Sequence, residues 1–160
     1  MARKKTEQGP ASPATIENRR ARYDYSILEE FEAGIALVGS EVKSIFLGRA
    51  HLTDAFCQVV NGELSIFNMD VEPYEKSGAF GHDRRRDRKL LMHRRQIDTL
   101  HRRSQEKGLT IVPLKVYFNQ RGKVKVRIGL AKGKAHYDKR AQIAKDETRR
   151  EIERARSLRG

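Results

Sequence analysis

A short run of strict alternation constrains this chain more than any other feature. Three cations, Lys123, Lys125 and Arg127, alternate with three β-branched residues, Val124, Val126 and Ile128. Successive side chains of a β-strand point to opposite faces of the sheet. The pattern therefore predicts a strand over 123–131 with one buried aliphatic face and one basic face, as in an antiparallel sheet that is solvated on one side.

Other segments predict a small, mainly β protein with short helices. Strands are predicted over 25–31, 35–38, 55–60, 63–68 and 110–119. Ala33-Gly34 is predicted to form a turn between the first two, and Asn61-Gly62 is typical of a tight hairpin turn. Short helices are predicted over 15–21, capped by Thr15, from Gly39, capped by Ser40, and around Ile97 up to Gly108. Residues 73–87 are predicted to form a loop. We expect an OB-like closed antiparallel β-barrel with flanking helices over 14–131.

The two ends differ in composition from this body. Residues 1–13 contain two prolines, a glycine and small polar residues, which predicts a disordered arm. Residues 132–160 are basic, and from Ala141 onward only Ile143, Ile152 and Leu158 are large aliphatic residues. Such a segment cannot build a core, and isolated helices of this length are marginal in water. We predict a basic C-terminal tail that is disordered alone and becomes helical on a partner.

The charge of the chain predicts its class of partner. The formal net charge is +13 and the pI is about 10.2, yet residues 23–81 carry ten acidic and three basic side chains. Nucleic acid is the first partner that this predicts, and an anionic membrane surface is the second. The single cysteine, Cys57, fits a reducing compartment. We expect no membrane span and no secretory signal, and therefore a cytoplasmic protein.

Three basic segments are candidates for RNA contact. The first has Asn18, Arg19, Arg20 and Arg22 beside Tyr23, which offers cations for phosphates and a ring for bases; a basic helix end packed by core tyrosines fits equally well. The second runs from Arg84 to Lys89, and the bland alternative is a solvated face. The third runs from Lys132 to Arg140, and the alternative is a solvated linker.

Catalytic chemistry has little support in the sequence. The five histidines form no HExxH pair, Cys57 has no CxxC partner, and no phosphate-binding glycine loop occurs. Cys57 lies between apolar residues and is predicted to be a core thiol. We therefore expect no enzyme, no metal and no cofactor.

The chain resembles a known family in several blocks that occur in consistent order. The blocks are residues 18–25 (NRRARYDY), 30–37 (EFEAGIAL), 39–44 (GSEVKS), 88–91 (RKLL), 128–134 (IGLAKGK) and 137–140 (YDKR). Together they resemble the SsrA-binding protein family, SmpB. The resemblance covers about residues 15–140.

The resemblance implies a fold and a function. Members have an OB-like barrel and a tail that is unstructured when free. They bind the tRNA-like end of transfer-messenger RNA (tmRNA) and deliver it to stalled ribosomes in trans-translation. The ribosome, through its small-subunit decoding centre and mRNA channel, is thus an expected partner. Elongation factor Tu is expected indirectly, through aminoacylated tmRNA.

The resemblance also implies site residues. Asn18, Glu32 and Leu91 fall on positions that hold the RNA elbow, Glu32 by accepting hydrogen bonds from base or ribose donors. The other expected tmRNA contacts are Arg19, Arg20, Arg22, Tyr23, Lys43, Arg88, Lys89, Lys123, Lys125, Lys132 and Lys134. Residues expected at the decoding centre are Gly133, Tyr137, Asp138, Lys139 and Arg140. The tail from Ala141 is expected to become helical in an empty mRNA channel.

Some positions depart from the family pattern, and two other classes stay open. Phe46 stands where Arg is frequent, His51 where Asn is common, and Tyr137 where many members have His. One alternative is a structural ribosomal protein. The other is an RNA-processing enzyme that holds a divalent metal on the acidic segment, with Glu30, Glu32 or Asp54.

Overall fold

A computed structural model describes residues 12–106, 108–134 and 147–156. It is mainly β-sheet with several short helices. The strands are β1 (Ile16–Glu17), β2 (Tyr25–Ile35), β3 (Ala50–His51), β4 (Phe56–Val60), β5 (Glu63–Phe67), β6 (Asp70–Val71), β7 (Arg88–Leu91), β8 (Leu109–Phe118) and β9 (Val124–Gly133). The α-helices are α1 (Arg19–Asp24), α2 (Gly39–Phe46) and α3 (Arg94–Ser104), and a 3-10 helix spans Glu75–Phe80. Residues 147–156 form a further helix, α4.

Seven strands form one sheet in the order β1-β8-β4-β5-β7-β2-β9, and β8 pairs additionally with β9. The strands β3 and β6 form a separate two-stranded sheet. All pairings are antiparallel, and the two longest join β9 to β2 and to β8. The main core lies on the inner face of the seven-stranded sheet, where Leu64, Ile66 and Leu90 are fully buried.

The predicted alternation of buried aliphatic residues and cations is confirmed in β9. Val124, Val126 and Ile128 are buried, whereas Lys123 is exposed and Lys125 and Arg127 are half-buried. The predicted hairpin is also confirmed, because β4 and β5 pair on either side of Asn61-Gly62. From Gly129 to Ala131 the residues are buried on both faces, since the helix α1 and the residue Ile27 cover this end of the sheet.

The predicted helix over 15–21 is wrong. Ile16 pairs with Val116 in a short strand, and the helix α1 begins at Arg19 after Asn18, whose side-chain oxygen accepts a hydrogen bond from the Ala21 N–H. The cap predicted for α2 is also wrong. Val38 precedes that helix, and its N–H donates to Glu41 at 2.9 Å.

The predicted turn at Ala33-Gly34 is absent, because β2 runs unbroken from Tyr25 to Ile35. Gly34 pairs with Leu91 on one side and Lys125 on the other, which holds it extended. A Cβ at Gly34 would lie 3.3 Å from the Leu91 Cβ, so the glycine permits a close approach of two strands. The loop predicted over 73–87 contains the 3-10 helix.

The ends of the chain are described only in part. Most of the predicted arm over 1–13 lies outside the described residues, as does most of the predicted tail. The residues of α4 are exposed throughout. In the described ranges no helix is long and apolar enough to cross a membrane.

Candidate nucleic-acid interface

The helix α1 is fastened to the sheet by Asn18. Its side-chain amide donates to the Pro113 carbonyl at 2.9 Å, and its backbone N–H donates to the Leu114 carbonyl at 2.8 Å. Because the same side chain also caps α1, its polar atoms are largely occupied and it is buried. Asn18 thus orients the first turn of α1, from which Arg19 and Arg22 point into a surface groove.

This groove has a volume of about 340 Å³ and is lined by four cations from three elements. The four are Arg19, Arg22, Lys115 and Arg127. Glu30 lies among them, with one carboxylate oxygen 3.1 Å from Arg22 Nη2 and the other 3.5 Å from Arg127 Nη1. A second carboxylate, Glu17, also lines the groove. Four cations and two carboxylates still leave an excess of positive charge, which suits a phosphate backbone.

Next to the groove, three strands place charged residues in one row. Arg127 pairs with Lys115 on β8 and with Glu32 on β2. Glu32 accepts a hydrogen bond from the Tyr117 hydroxyl, and Lys115 Nζ lies 5.1 Å from the centre of the Tyr117 ring. Partial burial raises the pKa of Tyr117, and the neighbouring Glu32 carboxylate raises it further. The row thus presents to a ligand two cations, the Tyr117 ring and the exposed carboxylate of Glu32.

The row continues into a second groove of about 350 Å³ that contains three predicted site residues. Leu91, Lys123 and Lys125 line it together with Gly34. Leu91 is 52% exposed, which is high for a large aliphatic side chain in a strand. The structure thus brings Arg19, Arg22 and Glu32 onto one continuous surface with these residues. We call this surface the basic face.

A smaller group lies where β9 ends against α1. Gly133 pairs with Tyr25, and the Lys134 N–H donates to the Asp24 carbonyl at 3.1 Å. Lys134 Nζ lies 5.9 Å from the centre of the exposed Tyr23 ring, and Lys132 is exposed on the same strand end. Residues 137–140, predicted for the decoding centre, lie outside the described residues.

Three predicted contacts lie in ion pairs or ring contacts elsewhere. Arg20 Nε is 3.3 Å from the Asp24 carboxylate. Lys43 Nζ lies 5.2 Å from the centre of the Tyr74 ring, beside α2. Lys89 points outward from β7, as Leu91 does, and its Nζ is 3.1 Å from the Glu63 carboxylate.

Arg88 is a correction, because its side chain is fully buried and has no surface to offer to RNA. Its Nε donates to Glu41 at 2.5 Å, and its Nη1 donates to the Met69 carbonyl at 2.8 Å. Arg86 also donates to Glu41, at 3.1 Å. The run from Arg84 to Lys89, a candidate for RNA contact with a solvated face as the alternative, therefore includes a cation that forms a buried ion pair.

Sequence reasoning missed four members of the basic face. Lys115, Tyr117 and Glu30 were not named as RNA contacts, and Arg127 was placed on the basic side of its strand without being named as one. A signal existed for three of them, since Lys115 and Tyr117 alternate with Leu114 and Val116 as Arg127 does with its neighbours. The register that sets them in adjacent rows is not visible in one sequence, because it depends on long-range strand pairing.

The described ranges contain neither a cluster of metal ligands nor an exposed thiol. No group of three or more His, Cys, Asp or Glu side chains there is arranged to hold a metal ion. Cys57 is buried in the core, as predicted, and burial raises the pKa of its thiol. A neutral, inaccessible thiol is a poor nucleophile.

Comparison with known proteins shows to which family this chain is similar. The family model described as SmpB protein matches residues 15–158. A protein of Desulforamulus reducens named SsrA-binding protein is 50% identical over 155 residues, which is 97% of this chain and 96% of the relative. One of Symbiobacterium thermophilum with the same name is 52% identical over 160 residues, covering 100% of this chain and 98% of the relative.

A solved structure is similar to this chain in both sequence and fold. A chain from a study of tmRNA-SmpB at the centre of the bacterial ribosome is 51% identical in sequence. The match covers 76% of this chain and 85% of the solved chain, with a TM-score of 0.65. The similarity therefore extends to the arrangement of the sheet as well as to the sequence.

Proposed function

This chain belongs to the SmpB family, and from that membership we propose that it binds tmRNA and acts with it on stalled ribosomes in trans-translation. The observation that carries the proposal is the basic face. Its cations suit a phosphate backbone, while Leu91 and Glu32 offer an apolar contact and a hydrogen-bond acceptor for bases.

We assign the tRNA-like end of tmRNA to this face. Arg19, Arg22, Lys123 and Lys125 contact phosphates, Leu91 packs against an unstacked base, and Glu32 accepts hydrogen bonds. Asn18 acts through the placement of α1, because it is buried. Tyr23, Lys132 and Lys134 extend the contact toward the tail, and Arg20, Lys43 and Lys89 are peripheral.

The fold proposal is that the sheet closes as an OB-like barrel over residues 14–131. What supports it is the double role of β8, which pairs with β4 near one end of the strand order and with β9 at the other. A ring of pairings from β8 through β4, β5, β7, β2 and β9 back to β8 has no open edge.

The remaining residues have a proposed place on the ribosome. Gly133, Tyr137, Asp138, Lys139 and Arg140 act at the small-subunit decoding centre, and the tail to Gly160 lies in the vacant mRNA channel as a helix. Elongation factor Tu meets the protein indirectly, through aminoacylated tmRNA. The protein acts in the cytoplasm, by binding and without a covalent step.

The test is a filter-binding titration of the purified chain against tmRNA and bulk tRNA at several salt concentrations, with and without residues 141–160. We expect tmRNA to be preferred at physiological salt and truncation to leave its affinity nearly unchanged. Tagging on stalled ribosomes in a reconstituted system should be lost on the same truncation.

The contrary results separate the two parts of the proposal. Equal affinity for both RNAs, with a salt dependence that flattens on truncation, would make this a general phosphate binder led by its tail. Normal tagging by the truncated chain would remove the tail from the mechanism and leave the basic face unaffected.

A further inference from the structure

We propose that Tyr117 is the positioning residue for Glu32 on the basic face. Its hydroxyl fixes the carboxylate as an outward-facing acceptor for a hydrogen-bond donor on the RNA. This inference rests on the proposed function, since it concerns how the same face reads tmRNA. Nothing in the sequence pattern or in the family resemblance assigned a role to Tyr117.

The contact spans three strands. Tyr117 lies on β8 and pairs with Lys125 of β9, whereas Glu32 lies on β2 and pairs with Arg127 of β9. The tyrosine side chain therefore crosses over β9 between two cations to reach the carboxylate. A phenol has only two side-chain torsions, so it holds this long reach with little loss of conformational entropy on folding.

The partner of Glu32 differs from those of its neighbours on β2. Glu29 is paired with Arg103 at 2.5 Å, and Glu30 lies between Arg22 and Arg127. Glu32 takes its hydrogen bond from a neutral hydroxyl, and among the described residues its other oxygen, Oε1, has no hydrogen-bond donor. Glu29 and Glu30 lie in direct ion pairs, whereas Glu32 lies in none among the described residues, although Arg127 is its cross-strand neighbour. One oxygen of Glu32 is therefore left for a ligand.

This arrangement suits one kind of ligand group. An ionised carboxylate with a free oxygen accepts from N–H or O–H donors, such as base amino or imino groups and the ribose 2′-hydroxyl. It repels phosphate, so within a basic face it separates the site for a base or sugar from the sites for the backbone. Lys115 over the Tyr117 ring limits the movement of that ring.

The closing experiment is a double-mutant cycle on tmRNA affinity with Tyr117→Phe, Glu32→Ala and the combined variant. Tyr117→Phe keeps the ring and removes only the hydroxyl. We expect it to weaken tmRNA binding about three- to tenfold in the wild-type background, the range for one hydrogen bond. In the Glu32→Ala background the same change should have no further effect.

A matched control is Tyr74→Phe. Its ring lies against Lys43 away from the basic face, and we expect unchanged tmRNA affinity. Circular dichroism and thermal unfolding of each variant show whether it is folded.

A second readout needs no RNA. Ultraviolet titration of tyrosine ionisation, taken as the difference between wild type and Tyr117→Phe, reports the Tyr117 hydroxyl alone. Because the Glu32 carboxylate disfavours the phenolate, Glu32→Ala should lower the pKa of Tyr117. A role confined to packing of the ring would leave this pKa unmoved by Glu32→Ala.

The outcomes distinguish the inference from the function on which it rests. Equal effects of Tyr117→Phe in both backgrounds, with tmRNA still preferred by the wild type, would overturn the positioning role and leave the function standing. A wild type without preference for tmRNA over tRNA would overturn both. An unchanged titration of Tyr117 in Glu32→Ala would also refute the contact.

Discussion

At the scale of single residues, the most consequential group in the interior is Glu41. It is fully buried, and burial alone would raise its pKa, but hydrogen bonds from Arg86, the Val38 N–H and Arg88 outweigh that and keep the pKa below its ordinary value. Arg88 is equally buried, and desolvation lowers its pKa. The guanidinium also donates to carbonyls of the loop before β7, including Arg84 at 3.2 Å.

Removing the charge of Glu41 should destabilise the protein strongly. Glu41→Gln leaves the Arg88 guanidinium buried without a counter-charge, and we expect a loss of about 3–5 kcal/mol in the free energy of unfolding, measured in urea. The matched control is Glu63→Gln, because the Glu63–Lys89 pair is exposed. That variant should change stability by about 1 kcal/mol or less, and equal losses for both would contradict a special role for burial.

The same carboxylate predicts a dependence of stability on acid. Because the folded-state pKa of Glu41 lies below the ordinary value of 4.5 for a glutamate, its contribution to stability is complete above about pH 4.5 and is lost as the pH falls toward the folded-state pKa. Urea unfolding of wild type and Glu41→Gln over pH 3–6 should give curves that converge at low pH. Parallel curves would show that Glu41 does not carry this dependence.

This residue also marks a limit of sequence reasoning. The run from Arg84 to Lys89 has the composition of a solvated face, and the sequence suggested RNA contact for Arg88. The burial of Arg88 is made possible by its ion pair with Glu41 on α2, which lies 47 positions earlier in the chain. A pair so distant in sequence leaves no local signal.

At the scale of elements, the sequence predicted a turn or strand correctly where neighbouring residues alone are sufficient to form it. The β4–β5 hairpin was predicted from Asn61-Gly62, and both residues have positive φ, 53° and 77°, as a two-residue hairpin turn requires. The predicted turn at Ala33-Gly34 was wrong because Gly34 serves a different purpose. It allows the strand β7 to lie close to β2. A glycine signals that a side chain is excluded, without saying whether a turn or a neighbour is the reason.

The hairpin gives a prediction of its own. Gly62→Ala forces a non-glycine residue into a left-handed conformation and crowds the Arg94 guanidinium, 3.1 Å from the added Cβ, so we expect a loss of about 1–3 kcal/mol in unfolding free energy. The control is Gly39→Ala at the start of α2, where an added Cβ meets nothing within 4 Å. A smaller loss at Gly62 than at Gly39 would contradict the turn geometry.

At the scale of the whole molecule, folding brings the acidic segment against the basic ones. Carboxylates between residues 23 and 81 pair with later cations, as in Glu29–Arg103, Asp70–Arg84 and Glu63–Lys89. The charge asymmetry seen in the sequence is thus partly cancelled inside the fold. The cations that remain include those of the basic face and those of the tail sequence, and a count of charges by segment does not show which of them share one surface.

The remaining charge predicts a salt-dependent affinity. Lys125→Ala should weaken tmRNA binding and reduce the slope of log affinity against log salt by about 0.7–0.9, the value for one lost phosphate contact. Lys76→Ala, on the exposed 3-10 helix outside the basic face, should leave both quantities unchanged. An unaltered slope for Lys125→Ala would remove this lysine from the phosphate contacts.

The strand β9 has one further consequence. It begins beside Lys123 on the basic face and ends at Gly133 against α1, and ten paired residues of strand span about 33 Å. Both of its edges are hydrogen-bonded, to β2 and to β8, so its length is fixed by the sheet. The distance from Lys123 on the basic face to Gly133, where the tail begins, is therefore set by the sheet. We expect this distance to be the same before and after RNA binds at one end or the ribosome at the other.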